Sequence, residues 1–268
     1  MKKQKVYYYS DELNDDFANT NIERKELGEN FKYVHTNWFY RCVNNVFYYV
    51  IAAPIIWIGN KLYNHQKFVN KKVLKECKDQ GYFVFSNHTG MILDSFSTPM
   101  LTYPKKLYEI VNPDAFSIRG VKTIVQMLGG VPLASTYTQE KEFLKCIKQR
   151  INEKQVISIF PEAHIWPYYT KVRPYNYVAF KYPAKLNAPV YSVSHCYQKR
   201  KLFKKPKVVS FIDGPFYPRQ DLPVKEAAQI LRDEVYNTMV KRLQENSTYE
   251  YAKYVKVEKK EEPQEEAK

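Results

Sequence analysis

The stretch from Gly81 to Asp94, GYFVFSNHTGMILD, decides how the chain is read. Tyr82 to Phe85 is a short, unbroken run of aromatic and β-branched residues, preceded by glycine and followed by Ser86-Asn87. Such a run predicts a buried strand. His88 comes next, Thr89-Gly90 turn the chain, and Met91 to Met100 predicts the start of a helix. Asp94 stands six residues beyond His88. Polar groups just past the carboxyl end of a buried strand lie where open α/β sheets keep their ligand crevices. A histidine there, with a carboxylate to hold its tautomer and stabilise its charged form, suits general-base work on a hydroxyl. A plainer reading also fits: His88 as a hydrogen-bonded structural residue and Asp94 as a turn cap. Convergent partners elsewhere must decide between them.

One such partner is in the sequence. Val156 to Phe160 (VISIF) predicts a second buried strand, followed at once by Pro161-Glu162. Parallel strands present their carboxyl ends on one side of a sheet, so His88 and Glu162 can converge across 74 positions of chain. Between them lie a predicted strand at Leu107 to Val111 and a helix at Phe116 to Leu128, with Ile118, Val121, Ile124, Val125 and Leu128 at helical spacing. Gly129-Gly130 end that helix as a left-handed cap does, and an amphipathic helix is predicted from Glu140 to Ile151. Beyond them, Pro174 to Leu186 predicts a helix, and Pro189 to Val193 and Lys207 to Ile212 predict strands. Leu222 to Leu243 predicts a helix with Val224, Ala228, Leu231, Val235, Met239 and Leu243 on one face, capped by Asp221 with Pro223 in the first turn. Alternation of strands and helices predicts an α/β fold with a mostly parallel sheet flanked by helices.

Upstream the character changes. Residues 1–30 are polar and charged and are read as a flexible or locally helical lead-in. They contain no apolar stretch of the kind a signal peptide needs. Residues 31–64 are dense in aromatics, but the uninterrupted apolar run is only Val46 to Ile58, with Pro54 inside it. A full membrane span takes roughly 20 apolar residues. This segment is therefore read as a membrane-associating helical hairpin, with Trp38, Tyr40, Tyr48, Tyr49 and Trp57 at headgroup level and Lys32, Arg41 and Lys61 flanking it. The competing reading is a hydrophobic helix packed on the core. Coincidence of apolar, aromatic and basic features favours the membrane. The α/β domain is assigned to 65–246, and 247–268 to a charged, disordered tail.

Composition agrees with an anionic partner. The net charge is +14, and aromatics make up 16% of the chain, with 24 Tyr. Tyrosine suits wet–apolar boundaries, and a basic balance suits nucleic acid, an anionic membrane or an acidic substrate. Nucleic acid is excluded by the lack of any recognition motif and because the aromatics gather in an apolar segment rather than among the basic runs. The cysteines, Cys42, Cys77, Cys146 and Cys196, lie far apart, with no zinc spacing or disulfide framework. Neither a metal nor a cofactor is expected.

The ordered blocks Asn87-His88…Asp94, Gly130-Val131-Pro132-Leu133, Phe160-Pro161-Glu162 and Ala188-Pro189-Val190 resemble those of the glycerolipid acyltransferases, typified by 1-acylglycerol-3-phosphate acyltransferases. That family's blocks read NHxxxxD, GxIFIDR, FPEGTR and VPIxP. The likeness runs over roughly Phe31 to Leu243. His88-Thr89…Asp94 resembles the HTxxxxD form found among Gram-positive relatives. Three departures stand out. Five residues separate His88 from Asp94 where the family has four, which turns Asp94 by ~100° in a continuous helix. Ala134-Ser135-Thr136 stands where an arginine is usual. Ala163, His164 and Ile165 replace the Gly, Thr and Arg of FPEGTR. Both family arginines serve the acceptor phosphate, and a missing bidentate donor there is a large loss.

The resemblance implies transfer of a fatty acyl group from acyl-CoA or acyl-carrier protein to a hydroxyl of a lysophosphatidic acid-like acceptor, at the cytoplasmic face of a membrane. The protein would be peripheral or monotopic. His88 would be the base and Asp94 its orienter. Asn87, Thr89, Gly90, Glu162, His164, Lys171 and Arg173 would line the substrates, Lys171 and Arg173 standing in for the missing arginines. The alternatives are a non-phosphate or glycolipid acceptor, or a non-catalytic basic lipid-binding protein.

Overall fold

The structure, a computed structural model, describes residues 4–18, 27–28, 31–64, 66–90, 94–117 and 120–258, and only the backbone of 63–64 and 94–96. Its strands in chain order are β1 (Lys5–Tyr9), β2 (Lys67–Val69), β3 (Tyr82–Ser86), β4 (Leu107–Val111), β5 (Gly130–Pro132), β6 (Val156–Ile159), β7 (Val190–Gln198), β8 (Lys207–Phe216) and β9 (Ala252–Lys256). Its α-helices are α1 (Trp38–Val46), α2 (Ala53–Gly59), α3 (Asp94–Thr102), α4 (Lys122–Met127), α5 (Tyr137–Asn152), α6 (Lys181–Leu186) and α7 (Val224–Asn246).

Seven of the described strands form one sheet in the order β2-β8-β7-β3-β6-β4-β5. All neighbours run parallel except β7 and β8, which pair as an antiparallel hairpin. The expected α/β class and mostly parallel sheet are therefore present. β3 is central because all five of its residues are buried, as an unbroken apolar run requires. On one face Phe83, Phe85, Ile157, Val190 and Cys196 pack with Phe143 and Ile147 of α5 and with Leu231, Val235, Met239 and Leu243 of α7. On the other, Tyr82, Val84, Val156, Tyr191 and Ile212 pack with Leu74, Cys77 and Leu101. Gly129 caps α4 at φ +101°, and its α-carbon faces the Leu107 carbonyl so closely that a side chain has no room.

Several expectations need correction. Within the segment 31–64, residues 31–37 are irregular and Trp38–Leu62 is one helical rod and not a hairpin: α1, a π-turn at Phe47–Ala52 and α2 follow without a break in helical backbone. Pro54 explains the π-turn. It has no N–H and would clash with the carbonyl one turn back, and the wider turn lets the Ala53 N–H reach the Tyr48 carbonyl instead. The lead-in and the tail are not wholly irregular, because β1 and β9 pair in parallel with Tyr7 opposite Tyr254. Their alternating tyrosines and valines find a partner only across the whole length of the chain. The predicted helix at Phe116 to Leu128 shortens to Lys122–Met127, with a 3-10 turn at Pro113–Phe116, and Ile118 lies outside the described residues. The one at Pro174 to Leu186 shortens to a 3-10 turn and α6. Pro223 rather than Asp221 is the N-cap of α7, and Val224 is exposed at its start. The end of the tail, from 259, also lies outside the described residues.

Candidate active site

Strands β3 and β6 run in register, Phe85 opposite Ile159, so the residues after them emerge side by side. His88 and Glu162 meet there as expected. Oε2 of Glu162 accepts the backbone N–H of His88 at 3.2 Å, and the His88 carbonyl accepts the N–H of Trp166 at 3.1 Å. His88 is thus held on both sides by the Glu162–Trp166 loop. Its ring stacks on Phe160, centroids 4.2 Å apart and planes 17° apart. Helix α3 begins at Asp94, whose side chain lies outside the described residues.

Asn87 extends the β3–β7 ladder with its side chain. Oδ1 accepts the His195 N–H at 2.8 Å and Nδ2 donates to the His195 carbonyl at 3.2 Å. A strand ends cleanly when a side chain replaces the next rung of backbone bonds. Thr89 is buried, its hydroxyl taking a bond from Tyr197 at 2.9 Å and its carbonyl one from the Tyr168 N–H at 2.8 Å. Gly90 is buried beside it.

Glu162 is a fully buried carboxyl. Oε1 accepts the Arg173 N–H at 3.2 Å, and the Arg173 guanidinium lies 3.7 Å from Oε2. Burial pushes the carboxyl up to about 7, against the pull of Arg173 and of the two N–H groups. Arg173 itself is 1% exposed. Its guanidinium donates to the carbonyls of Glu12, Glu162 and His164 and lies over the Trp166 ring. Glu162 and Arg173 build the loop that clamps the His88 backbone, and they face protein, not solvent. His164 is half-buried, 3.6 Å from Asp16, and Lys171 is exposed. Ala163 turns the chain at φ +64° inside a bond from the His164 N–H to the Glu162 carbonyl. Glycine is the residue that this backbone favours, and glycine is what FPEGTR carries there.

Sequence reading missed the residues that support this loop. Trp166 is fully buried among Tyr9, Phe17, Tyr169 and Tyr254, its indole N–H donating to the Asp15 carbonyl at 2.7 Å. The only signal was local aromatic density, because the partners come from both ends of the chain.

An open α/β sheet with polar groups gathered at the carboxyl ends of adjacent parallel strands is the architecture in which ligands bind in a crevice at those ends. Residues 64–195 match the family model described as Acyltransferase. The crystal structure of the 1-acyl-sn-glycerophosphate (LPA) acyltransferase PlsC from Thermotoga maritima is similar in fold. Its TM-score is 0.56 at 18% identity, covering 81% of this chain and 87% of that one. A comparison with curated proteins finds no match. Residues 64–195, about half of the chain, therefore form an acyltransferase-family domain, and the likeness to PlsC lies in the fold. Trp38–Leu62 is long and apolar enough to cross a membrane, and 11% of its most apolar stretch is buried, which makes it a candidate membrane-associating element.

Proposed function

We propose that this acyltransferase moves a fatty acyl group from acyl-CoA or acyl-carrier protein to a hydroxyl of a lysophosphatidic acid-like acceptor, with His88 as general base and Asp94 as its orienting carboxylate. The observation that carries this reading is the double clamp on the His88 backbone at the end of β3, six residues before the Asp94 start of α3. A base held in one geometry meets the positional demand of proton transfer. The imidazole takes the hydroxyl proton as the oxygen attacks the thioester carbonyl carbon and the C–O bond forms. In this reading, backbone N–H groups of the Thr89-Gly90 turn hold the developing oxyanion. The C–S bond then breaks, and the thiolate leaves with the proton from the imidazolium. No acyl-enzyme is needed.

The site works at the cytoplasmic face of a membrane in this reading, with the protein peripheral or monotopic. The rod Trp38–Leu62 measures roughly 37 Å at 1.5 Å per residue. Phe39, Val43, Val46, Val50, Ile58 and Leu62 are exposed along it, a stripe that water disfavours. The tip of the β7–β8 hairpin adds Leu202 and Phe203, 89% and 62% exposed, amid Lys199, Arg200, Lys201, Lys204 and Lys205. β7 is parallel to β3, so this tip emerges from the His88 end of the sheet. Apolar side chains ringed by cations suit an anionic bilayer surface.

A second reading, a neutral or glycosylated acceptor, is favoured by one observation: the guanidinium of Arg173 is turned inward onto carbonyls, which leaves exposed Lys171 as the cation of that pair facing solvent. Acyl transfer from labelled acyl-CoA, and separately acyl-carrier protein, to lyso-lipids with and without phosphate tests both. We expect His88→Ala to lower kcat/KM by about 10²–10⁴ on every accepted substrate. Transfer to phosphate-free acceptors alone selects the second reading. Transfer that survives His88→Ala unchanged ends the general-base assignment.

A further inference from the structure

A cleft of about 460 Å³ lies at the other end of the sheet. It opens between α1 and the amino ends of β4, β5 and β6. Lys106 immediately precedes β4, Gly130 begins β5 and Gln155 immediately precedes β6, and all three strands are parallel to β3. The length of a strand, roughly 15 Å, therefore separates the cleft from His88.

Its charges are unbalanced. Among the described residues that line it, Arg41, Lys106 and Arg150 are cationic and Glu153 is the carboxylate, already bonded to Arg150 at 2.7 Å. Lys106 is 3% exposed, yet its ammonium reaches neutral oxygens, Asn44 Oδ1 and the Met127 carbonyl, both at 2.9 Å. It shares the Tyr108 ring with Arg150, at 5.5 and 4.5 Å from the centroid. Burial and the charge of Arg150 press its pKa down to about 7. Buried cations are ordinarily paired with anions; Arg150 has Glu153, whereas Lys106 on the same ring has only neutral oxygens. On the cleft wall, Nε2 of His35 and the hydroxyl of Tyr40 are buried and make no hydrogen bond within the described residues. Their ring centroids lie 4.1 Å apart with the planes tilted by 30°.

We propose that this cleft is a second ligand site, independent of His88, that takes a phosphate-ester anion through Arg41, Lys106 and Arg150, with His35 and Tyr40 as further polar contacts. Guanidinium forks match phosphate oxygens, and the volume holds an ester with its substituent rather than a bare ion. The flank formed by the apolar rod admits two sources of the same chemistry, the headgroup of an anionic phospholipid or a soluble phosphate ester. A bound anion also supplies the missing partner of Lys106.

Hydrogen exchange on the full chain tests this. One arm uses non-ionic micelles with and without inorganic phosphate or glycerol 3-phosphate. The other uses phosphatidylcholine vesicles with and without phosphatidylglycerol. We expect the amides of 33–45, 106–108 and 150–156 to slow about tenfold at ten times Kd. The slowing should vanish in Arg41→Glu and in Lys106→Gln and persist in His88→Ala. Slowing by soluble phosphate assigns a free ester, and slowing by phosphatidylglycerol alone assigns a lipid headgroup. No slowing in either arm, slowing confined to 87–90 and 162–173, or slowing unchanged in both cleft variants overturns the proposal. Arg41 is exposed at the cleft mouth, so Arg41→Glu decides if Lys106→Gln does not fold.

Discussion

Glu162 is the residue whose environment differs most from what its motif suggests. The FPE signature was read as a substrate contact, yet the carboxyl is buried and bonded to the backbone of His88 and Arg173. A carboxyl whose pKa rises on folding, from 4.5 to about 7, keeps a proton that the unfolded chain has lost. Its contribution to stability is complete below about pH 4.5 and is lost as pH rises through 7. Denaturant unfolding of wild type against Glu162→Gln should show the wild type's relative stability falling by about 3 kcal/mol across that window. A flat difference would mean that Arg173 keeps the carboxylate ionised throughout. Its neighbour Ala163 adopts a backbone that costs alanine about 1–2 kcal/mol, against glycine's entropic cost of about 0.5–1. Ala163→Gly should therefore raise unfolding free energy by about 0.5–1 kcal/mol.

Among the elements, the rod Trp38–Leu62 sets the problem. Its inner face docks by polar and aromatic groups: the Tyr48 hydroxyl accepts the Leu107 N–H at 3.3 Å, and Tyr49 donates to the Pro104 carbonyl at 3.0 Å. Its outer face carries the apolar stripe. If that stripe enters a bilayer, Val46→Glu with Val50→Glu should release the protein from vesicles in a flotation assay. Helical content and soluble-phase folding should be unchanged, since both positions are exposed. A carboxylate in the acyl region costs on the order of 2–3 kcal/mol each, enough to lower partitioning by a hundredfold or more. Unchanged flotation would leave the stripe as a surface for another protein.

Across the whole molecule, both chain ends converge on the loop that clamps His88. Tyr7 and Tyr254 stack at 4.9 Å, Trp166 stacks on Tyr254 at 4.9 Å, and the Tyr254 hydroxyl donates to the Pro167 carbonyl at 2.9 Å. Trp166→Ala should cost about 3–5 kcal/mol in thermal unfolding. It should also lower kcat, because the same loop fixes the His88 carbonyl. A stable variant with full activity would show that the terminal strands are ornamental to the site.

The sequence by itself determined the α/β class, the two buried strands and the side of the sheet on which Asn87, His88 and Glu162 emerge. Those features are local: an unbroken apolar run makes a central strand, and parallel pairing brings its carboxyl end beside its neighbour's. The likeness of the blocks to the acyltransferase family was legible for the same reason. Tertiary structure alone decided that Arg173 turns inward, that β1 finds β9, that Pro54 widens a helix instead of breaking it, and that Lys106 is buried beside Arg150 with only neutral oxygens as partners. Each depends on residues distant in the chain or on how space is filled around one side chain. Local periodicity and composition carry no record of either.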